Sequence, residues 1–203
     1  MDLEKRHLPA ELRVEKRAEG SAVIVGHAAV FDQLSEDLGG FREKIAPGAF
    51  AETLKAGDDV RALFNHNADY ILGRTRSGTL RLEENMHGLA IEIDAPDTQF
   101  ARDLVLAPME RGDISQMSFA MAVQGQSWDE LPDGSWIRTI TKVRLYDVSP
   151  VTYPAYPQTD VQLARRSLDA ALEEFAALKT QRDKALGFRM ALRRRRQQLA
   201  ALT

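Results

Sequence analysis

The 203-residue chain contains no cysteine, which excludes a disulfide framework, a thiolate metal site and a cysteine nucleophile together. Any nucleophile must then be Ser, Thr, Lys or a carboxylate. Long apolar runs are also missing. Nowhere do 18 apolar residues follow one another, and the opening segment MDLEKRHLPAELRVEKRAEG has no apolar centre of the signal-peptide kind. The expectation is a soluble cytoplasmic protein that makes no use of a membrane. Common chemical signatures are absent as well: there is no G-x-x-x-x-G-K-[ST] phosphate loop, no H-E-x-x-H zinc helix and no G-x-S-x-G elbow. Histidine is scarce, with four residues at positions 7, 27, 66 and 87 and no i, i+4 pair among them. Neither a metal nor a cofactor is expected.

Net charge is small, at −3, but unevenly spread. Residues 161–203 hold ten Lys/Arg against four Asp/Glu, which leaves 17 basic and 26 acidic residues in 1–160. An acidic body therefore carries a basic tail. A hydrophobic fraction of 44% and a charged fraction of 28% suit a folded globule, and the length suits one domain with an appendage. The expected division is a globular unit over 1–160 and a basic helical tail over 161–203.

The body reads as short strands separated by turns. Residues 21–31, SAVIVGHAAVF, predict a first strand with a bulge at Gly26, and residues 32–44 a loop. APGAFAETLK at 46–55 predicts a short helix, with Pro47 near its start, Phe50 and Leu54 four apart, and Gly57 as the stop. Strand-like runs follow at 60–67, 71–85 and 88–96, with reversals at Ser77-Gly78 and His87-Gly88. In the last run Leu89, Ile91 and Ile93 alternate with Ala90, Glu92 and Asp94, so one face is buried. Residues 98–111 predict a helix capped by Thr98 and ended or bent by Pro108. Two β-rich runs at 115–130 and 134–153, joined by Leu-Pro-Asp-Gly, predict a hairpin whose second arm sets Ile137, Thr139, Thr141 and Val143 on one side. Pro150, Pro154 and Pro157 then break regular structure. The Ala-, Leu-, Arg- and Glu-rich remainder, with Leu168, Leu172 and Phe175 at helical spacing, predicts a helix interrupted at Gly187. The fold class is α+β, built on an antiparallel, barrel-like sheet.

Three residues stand out as carriers of chemistry. His66 sits in F-N-H-N between asparagines rather than apolar neighbours, where an imidazole can face a groove and act near neutral pH; an ordinary surface histidine fits the same pattern. Ser118, in Q-M-S-F-A-M-A-V, shares its period-2 face with Ala120 and Ala122, while Met117, Phe119, Met121 and Val123 take the other. A face of such small residues admits an extended peptide, and serves equally for close packing in a crowded sheet. Asp147 lies in a β-favouring run, where a carboxylate needs a partner. Orienting an imidazole would provide one, and so would an ion pair with Arg144 or Lys142.

The blocks G-H-A-A-V-F, I-A-P-G-A-F, L-F-N-H-N followed by I-L-G-R-T, Q-M-S-F-A-M and Y-D-V-S-P-V-T-Y-P-A-Y occur in this order over about residues 20–160. Together they resemble the prohead proteases of tailed phages. The resemblance implies a serine endopeptidase with Ser118 as nucleophile, His66 as general base and Asp147 orienting His66. It also implies kinship with herpesvirus assembly proteases, hence an antiparallel barrel-like core surrounded by helices with a C-terminal helical tail. Their second histidine has no counterpart here, since no histidine follows His87, and Asp147 matches the acid of the phage relatives. The implied substrates are the major capsid protein precursor with its scaffold segment and the protease itself, with self-association among its interactions. The implied place of work is the assembling procapsid in the host cytoplasm. The run Arg193–Arg196 has no interleaved aromatic residue, so base stacking is unsupported and nucleic acid is not an expected partner. The alternative is a non-catalytic assembly or scaffolding protein that keeps the protease fold.

Overall fold

Two long strands form the spine of the molecule. In the computed structural model, which describes residues 3–9, 12–17, 21–38, 40–153, 168–173, 176 and 177, β9 (Gln116–Glu130) and β10 (Trp136–Val151) pair antiparallel across the expected turn. That turn closes through Gly134 N–H to Leu131 O at 2.9 Å, with Gly134 at φ 82°. The Asp133 carboxylate fastens it by accepting from the backbone N–H and hydroxyl of Ser135.

The other strands are β1 (Glu4–Pro9), β2 (Arg13–Lys16), β3 (Ala22–Val30), β4 (Phe41–Ile45), β5 (Arg61–Phe64), β6 (Asn67–Arg74), β7 (Leu80–Glu84) and β8 (Gly88–Asp94). One sheet runs β1-β9-β10-β5-β6 with β4 also paired to β10, and the other runs β2-β3-β8-β7. Strands dominate the described residues. Among the described residues of the body, helix is confined to α1 (Ala51–Ala56), a 3₁₀ turn at Thr75–Ser77 and one run made of α2 (Gln99–Ala101), a π segment (Arg102–Leu106) and α3 (Ala107–Glu110). The α+β class thus stands in a strand-rich form. The strands form two sheets among the described residues rather than one closed barrel, and pairing is mixed, because β10 runs parallel to both β4 and β5. Apolar residues of both sheets meet in one core, including Ile24, Leu89, Ile93, Met117, Phe119, Ile140 and Val148, with Phe50 from the turn before α1.

Several local expectations change. The strand at Ala22–Val30 is preceded by two others. Its irregularity falls between His27 and Ala29, while Gly26 pairs normally with Ile91. The extra residue, Ala28, is fully buried: a small side chain, not glycine's freedom, is what the site required. The loop at 32–44 contains most of β4, whose Phe41, Glu43 and Ile45 are buried in strict alternation. Pro108 does not end its helix, which continues to Glu110. Immediately upstream of the proline the Ala107 N–H reaches Arg102 O in a π turn. The helix expected over 46–55 begins only at Ala51, with Pro47 in the turn before it, while its Gly57 stop in the left-handed region and buried Leu89, Ile91 and Ile93 follow the sequence reading. Gly88 tolerates no side chain, since a Cβ there would lie 1.9 Å from Ala29 O.

The expected alternation of Ile137, Thr139, Thr141 and Val143 is also overturned. Register shifts on either side of Lys142 invert the pattern, so Arg138 and Ile140 are buried first and Val143 and Leu145 after them, with Thr141 exposed. Arg138 is 1% exposed and sits between two carboxylates. Its Nη1 donates to Glu4 at 2.7 Å and Glu43 at 2.8 Å, and Nε donates to Gln126 at 2.6 Å. Arg6 donates to the same two glutamates. Burial alone would raise the Glu4 carboxyl, but Arg138 and Arg6 together hold it below the usual range. This cluster joins β1, β4 and β10. Arg138→Met should lower unfolding free energy by about 3–5 kcal/mol, because two buried carboxylates are left with a single cation, Arg6, between them. Urea unfolding followed by tryptophan fluorescence reads the shift, and an unchanged midpoint would refute it.

The chain divides into two units, Met1–Leu163 and Ala164–Thr203. In the second, residues 168–173, 176 and 177 are helical. Pro154, Pro157, Phe175, Gly187 and the Arg193–Arg196 run, with the expectations attached to them, lie outside the described residues.

Candidate active site

Strand parity sets Ser118. Met117, Phe119 and Met121 enter the core, and the two-residue period of β9 turns Ser118 and Ala120 to its opposite face. Both are buried there, Ser118 completely.

His66 is carried by the tight turn between β5 and β6. Phe64 pairs with Asn67, leaving Asn65 and His66 as the two connecting residues, both in the left-handed region at φ 54° and 55°. Paired positive φ values are what a two-residue hairpin of the primed type requires. Asn adopts them readily. For His the cost is of order 1–3 kcal/mol unless neighbours hold it. The hold is visible next door: Asn65 N–H donates to Pro150 O at 3.0 Å, its Nδ2 donates to Thr152 Oγ1 at 3.0 Å, and Thr152 N–H donates to its Oδ1 at 2.9 Å. Asn65 therefore pins the histidine turn to the end of β10.

Asp147 owes its direction to a bulge. Leu145 is opposite Met121 and Asp147 is opposite Ala120, so Tyr146 is an extra residue on β10. Without it Asp147 would keep the parity of Leu145 and point into the core. With it, Asp147 and Ser149 share the face of Ala120 and Ser118.

Three adjacent strands thus converge. His66 Nδ1 lies 2.6 Å from Asp147 Oδ1, and His66 Nε2 lies 2.6 Å from Ser118 Oγ. An ionised carboxylate can only accept, so for a neutral imidazole the proton belongs on Nδ1, and Nε2 accepts from the serine hydroxyl. The side chains of His66 and Asp147 are 8% and 14% exposed. Ser118 is fully covered. The alternative partners of Asp147 are engaged elsewhere: Lys142 with Glu52 at 2.6 Å and Arg144 with Asp58 at 3.7 Å.

All three residues singled out by sequence meet. The sequence reading missed Asn65 and Ser149. For Asn65 the signal was available, since Asn is a preferred residue for positive φ in a hairpin turn. Ser149, whose hydroxyl donates to Asp147 Oδ1 at 2.9 Å, had only its i+2 spacing from the acid to mark it. Among the described residues no cluster of three or more His, Asp or Glu has metal-binding geometry, and no helix is long and apolar enough to cross a membrane.

A family model described as caudovirus prohead serine protease matches residues 9–174. A solved structure of the bacteriophage T4 capsid assembly protease aligns with 73% of this chain and 98% of its own, at 12% identity and a TM-score of 0.42. No curated protein sequence matches the chain.

Proposed function

The chain belongs to the caudovirus prohead serine protease family, and from that premise we propose that Ser118, His66 and Asp147 are its catalytic nucleophile, general base and orienting acid. The observation that carries this reading is the unbroken hydrogen-bond line from Asp147 through His66 to Ser118, with both links at 2.6 Å. Membership makes the protein a serine peptidase of the capsid-maturation type. The residue roles, the substrates and self-cleavage are the parts proposed.

The Ser118 oxygen attacks the scissile carbonyl carbon while its proton passes to His66 Nε2. Asp147 accepts from Nδ1–H throughout, keeping the proton off Nε2 beforehand and stabilising the imidazolium afterwards. Collapse of the tetrahedral intermediate breaks the C–N bond, and the Nε2 proton goes to the leaving amine. Water, activated by the same nitrogen, then attacks the acyl-enzyme ester, releases the new carboxyl terminus and returns the proton to Ser118. No step needs a metal or redox group.

The proposed substrates are the major capsid protein precursor, its scaffold segment and this chain itself, cut inside the assembling procapsid in the host cell. Residues 161–203 are proposed as a basic tail that docks on an acidic scaffold or is removed by self-cleavage. Kinship with the herpesvirus assembly-protease fold remains part of the same proposal, supported by the strand-rich core of two sheets.

Intact-mass spectrometry of the wild-type chain and Ser118→Ala, each incubated alone and with assembled capsid precursor, tests the reading. Fragments that appear only with wild type are expected, with self-fragments ending within 161–203. If precursor stays whole with both, the non-catalytic scaffolding alternative takes its place.

A further inference from the structure

Asp147 Oδ1 receives two donors, and only one of them is the histidine. The second is the Ser149 hydroxyl, at 2.9 Å. Ser149 is fully buried and stands directly across the β9–β10 ladder from Ser118. Asp147 and Ser149 lie two residues apart on β10, on the face the Tyr146 bulge created, so the bulge that aims the acid at His66 brings this hydroxyl along. Resting on the catalytic reading above, we propose that Ser149 is a positioning residue of the proteolytic site, which holds the Asp147 carboxylate in the rotamer that presents Oδ1 to His66 Nδ1.

The physical case has two parts. A carboxylate on a strand rotates about χ1 and the broad χ2, and one bond to a histidine that must itself shift during turnover does not fix it. A second donor from a buried, side-chain-poor position does, because Ser149 has one short torsion and its backbone is locked in the ladder. The bond is charge-assisted, the stronger class of side-chain hydrogen bond. A purely structural serine would satisfy its hydroxyl equally well on a neighbouring carbonyl. Here it is spent on the oxygen that also holds the imidazole.

The test reads activation of Ser118 directly, through covalent labelling of the full chain by a fluorophosphonate. Saturation kinetics separate the limiting rate of labelling from the half-saturating concentration. Ser149→Ala should lower the limiting rate about 10- to 100-fold, the loss expected for one hydrogen bond to a charged group, with half-saturation unchanged, because Ser149 does not touch the reagent. Ser149→Thr, which keeps the hydroxyl, should recover most of the rate. In an Asp147→Asn background, Ser149→Ala should cost nothing further, since the carboxylate it positions is gone.

A limiting rate within twofold of wild type overturns the proposal. So does an equal loss in both backgrounds, or a loss accompanied by a lower melting temperature that Ser149→Thr also shows. Failure of the underlying reading looks different: wild type itself would leave Ser118 unlabelled and substrate uncut, and the role of Ser149 would fall with it.

Discussion

Replacing either Ser118 or His66 by alanine is expected to lower kcat by about 10⁴- to 10⁶-fold, and the double variant should be no slower than the worse single one. The two residues act as one unit: the hydroxyl is a poor nucleophile without an acceptor for its proton, and the imidazole has nothing to activate without the hydroxyl. Their link, at 2.6 Å, is the path of the proposed proton transfer. The residual rate would come from substrate binding and oxyanion stabilisation, which neither substitution removes. Neither variant should lose the fold. Ser118→Ala removes one oxygen from a buried site, and His66→Ala removes a ring that is not part of the core cluster. Steady-state cleavage of a peptide spanning a mapped site, with circular dichroism on each variant, decides the matter. A single variant within tenfold of wild type, or a double variant slower by the product of both losses, would show independent roles and sink the shared mechanism.

Asp147→Asn should be nearly as damaging, at about 10⁴-fold in kcat, and for a different reason. An asparagine is almost isosteric, so the 2.6 Å approach to Nδ1 can persist, but its amide is a donor on one side. Turned towards His66, it favours the tautomer with the proton on Nε2, and that nitrogen can no longer accept from Ser118. Asp147→Ala lacks this trap. The imidazole loses its guide but keeps both tautomers, so Asp147→Ala should be the faster of the two variants. KM should stay near the wild-type value in both, because Asp147 meets His66 and Ser149 rather than the peptide. An asparagine variant faster than the alanine one would mean that the carboxylate contributes through field alone and not by selecting the tautomer.

Much of this site was legible in the sequence, and the parts that were not share a cause. The helix at 51–56, the long hairpin and the buried face of β8 follow directly from local patterns: a glycine stop, a Pro-Asp-Gly turn and a period of two. Ser118 was placed on the correct face because β9 keeps that period through the site. Asp147 could not be, because the period on β10 is interrupted at Tyr146 and again near Lys142. Nothing local marks a bulge whose cause lies in the strand opposite. Arg138 was invisible for a related reason. A buried arginine reads as an ordinary charged strand residue until Glu4 and Glu43, far away in sequence, are brought beside it. The parallel pairing of β5 with β10 was equally hidden, since strand direction within a sheet is a property of connections rather than of composition. The resemblance to phage prohead proteases singled out His66, Ser118 and Asp147; the bulge and the Asn65 clamp explain why they meet.

That sheet order also bears on how the three proposed catalytic residues come together during folding. The proposed base is residue 66, the proposed nucleophile residue 118 and the proposed acid residue 147, brought together by a sheet in which β10 lies between β9 and β5. Pairings of this sequence separation close long loops and belong to slow, late stages of folding. A partly folded chain holding only the β5–β6 hairpin has a histidine with no acid behind it and no serine before it. On the proposed catalytic reading, hydrolytic competence is thus a property of the finished sheet and not of any one hairpin within it.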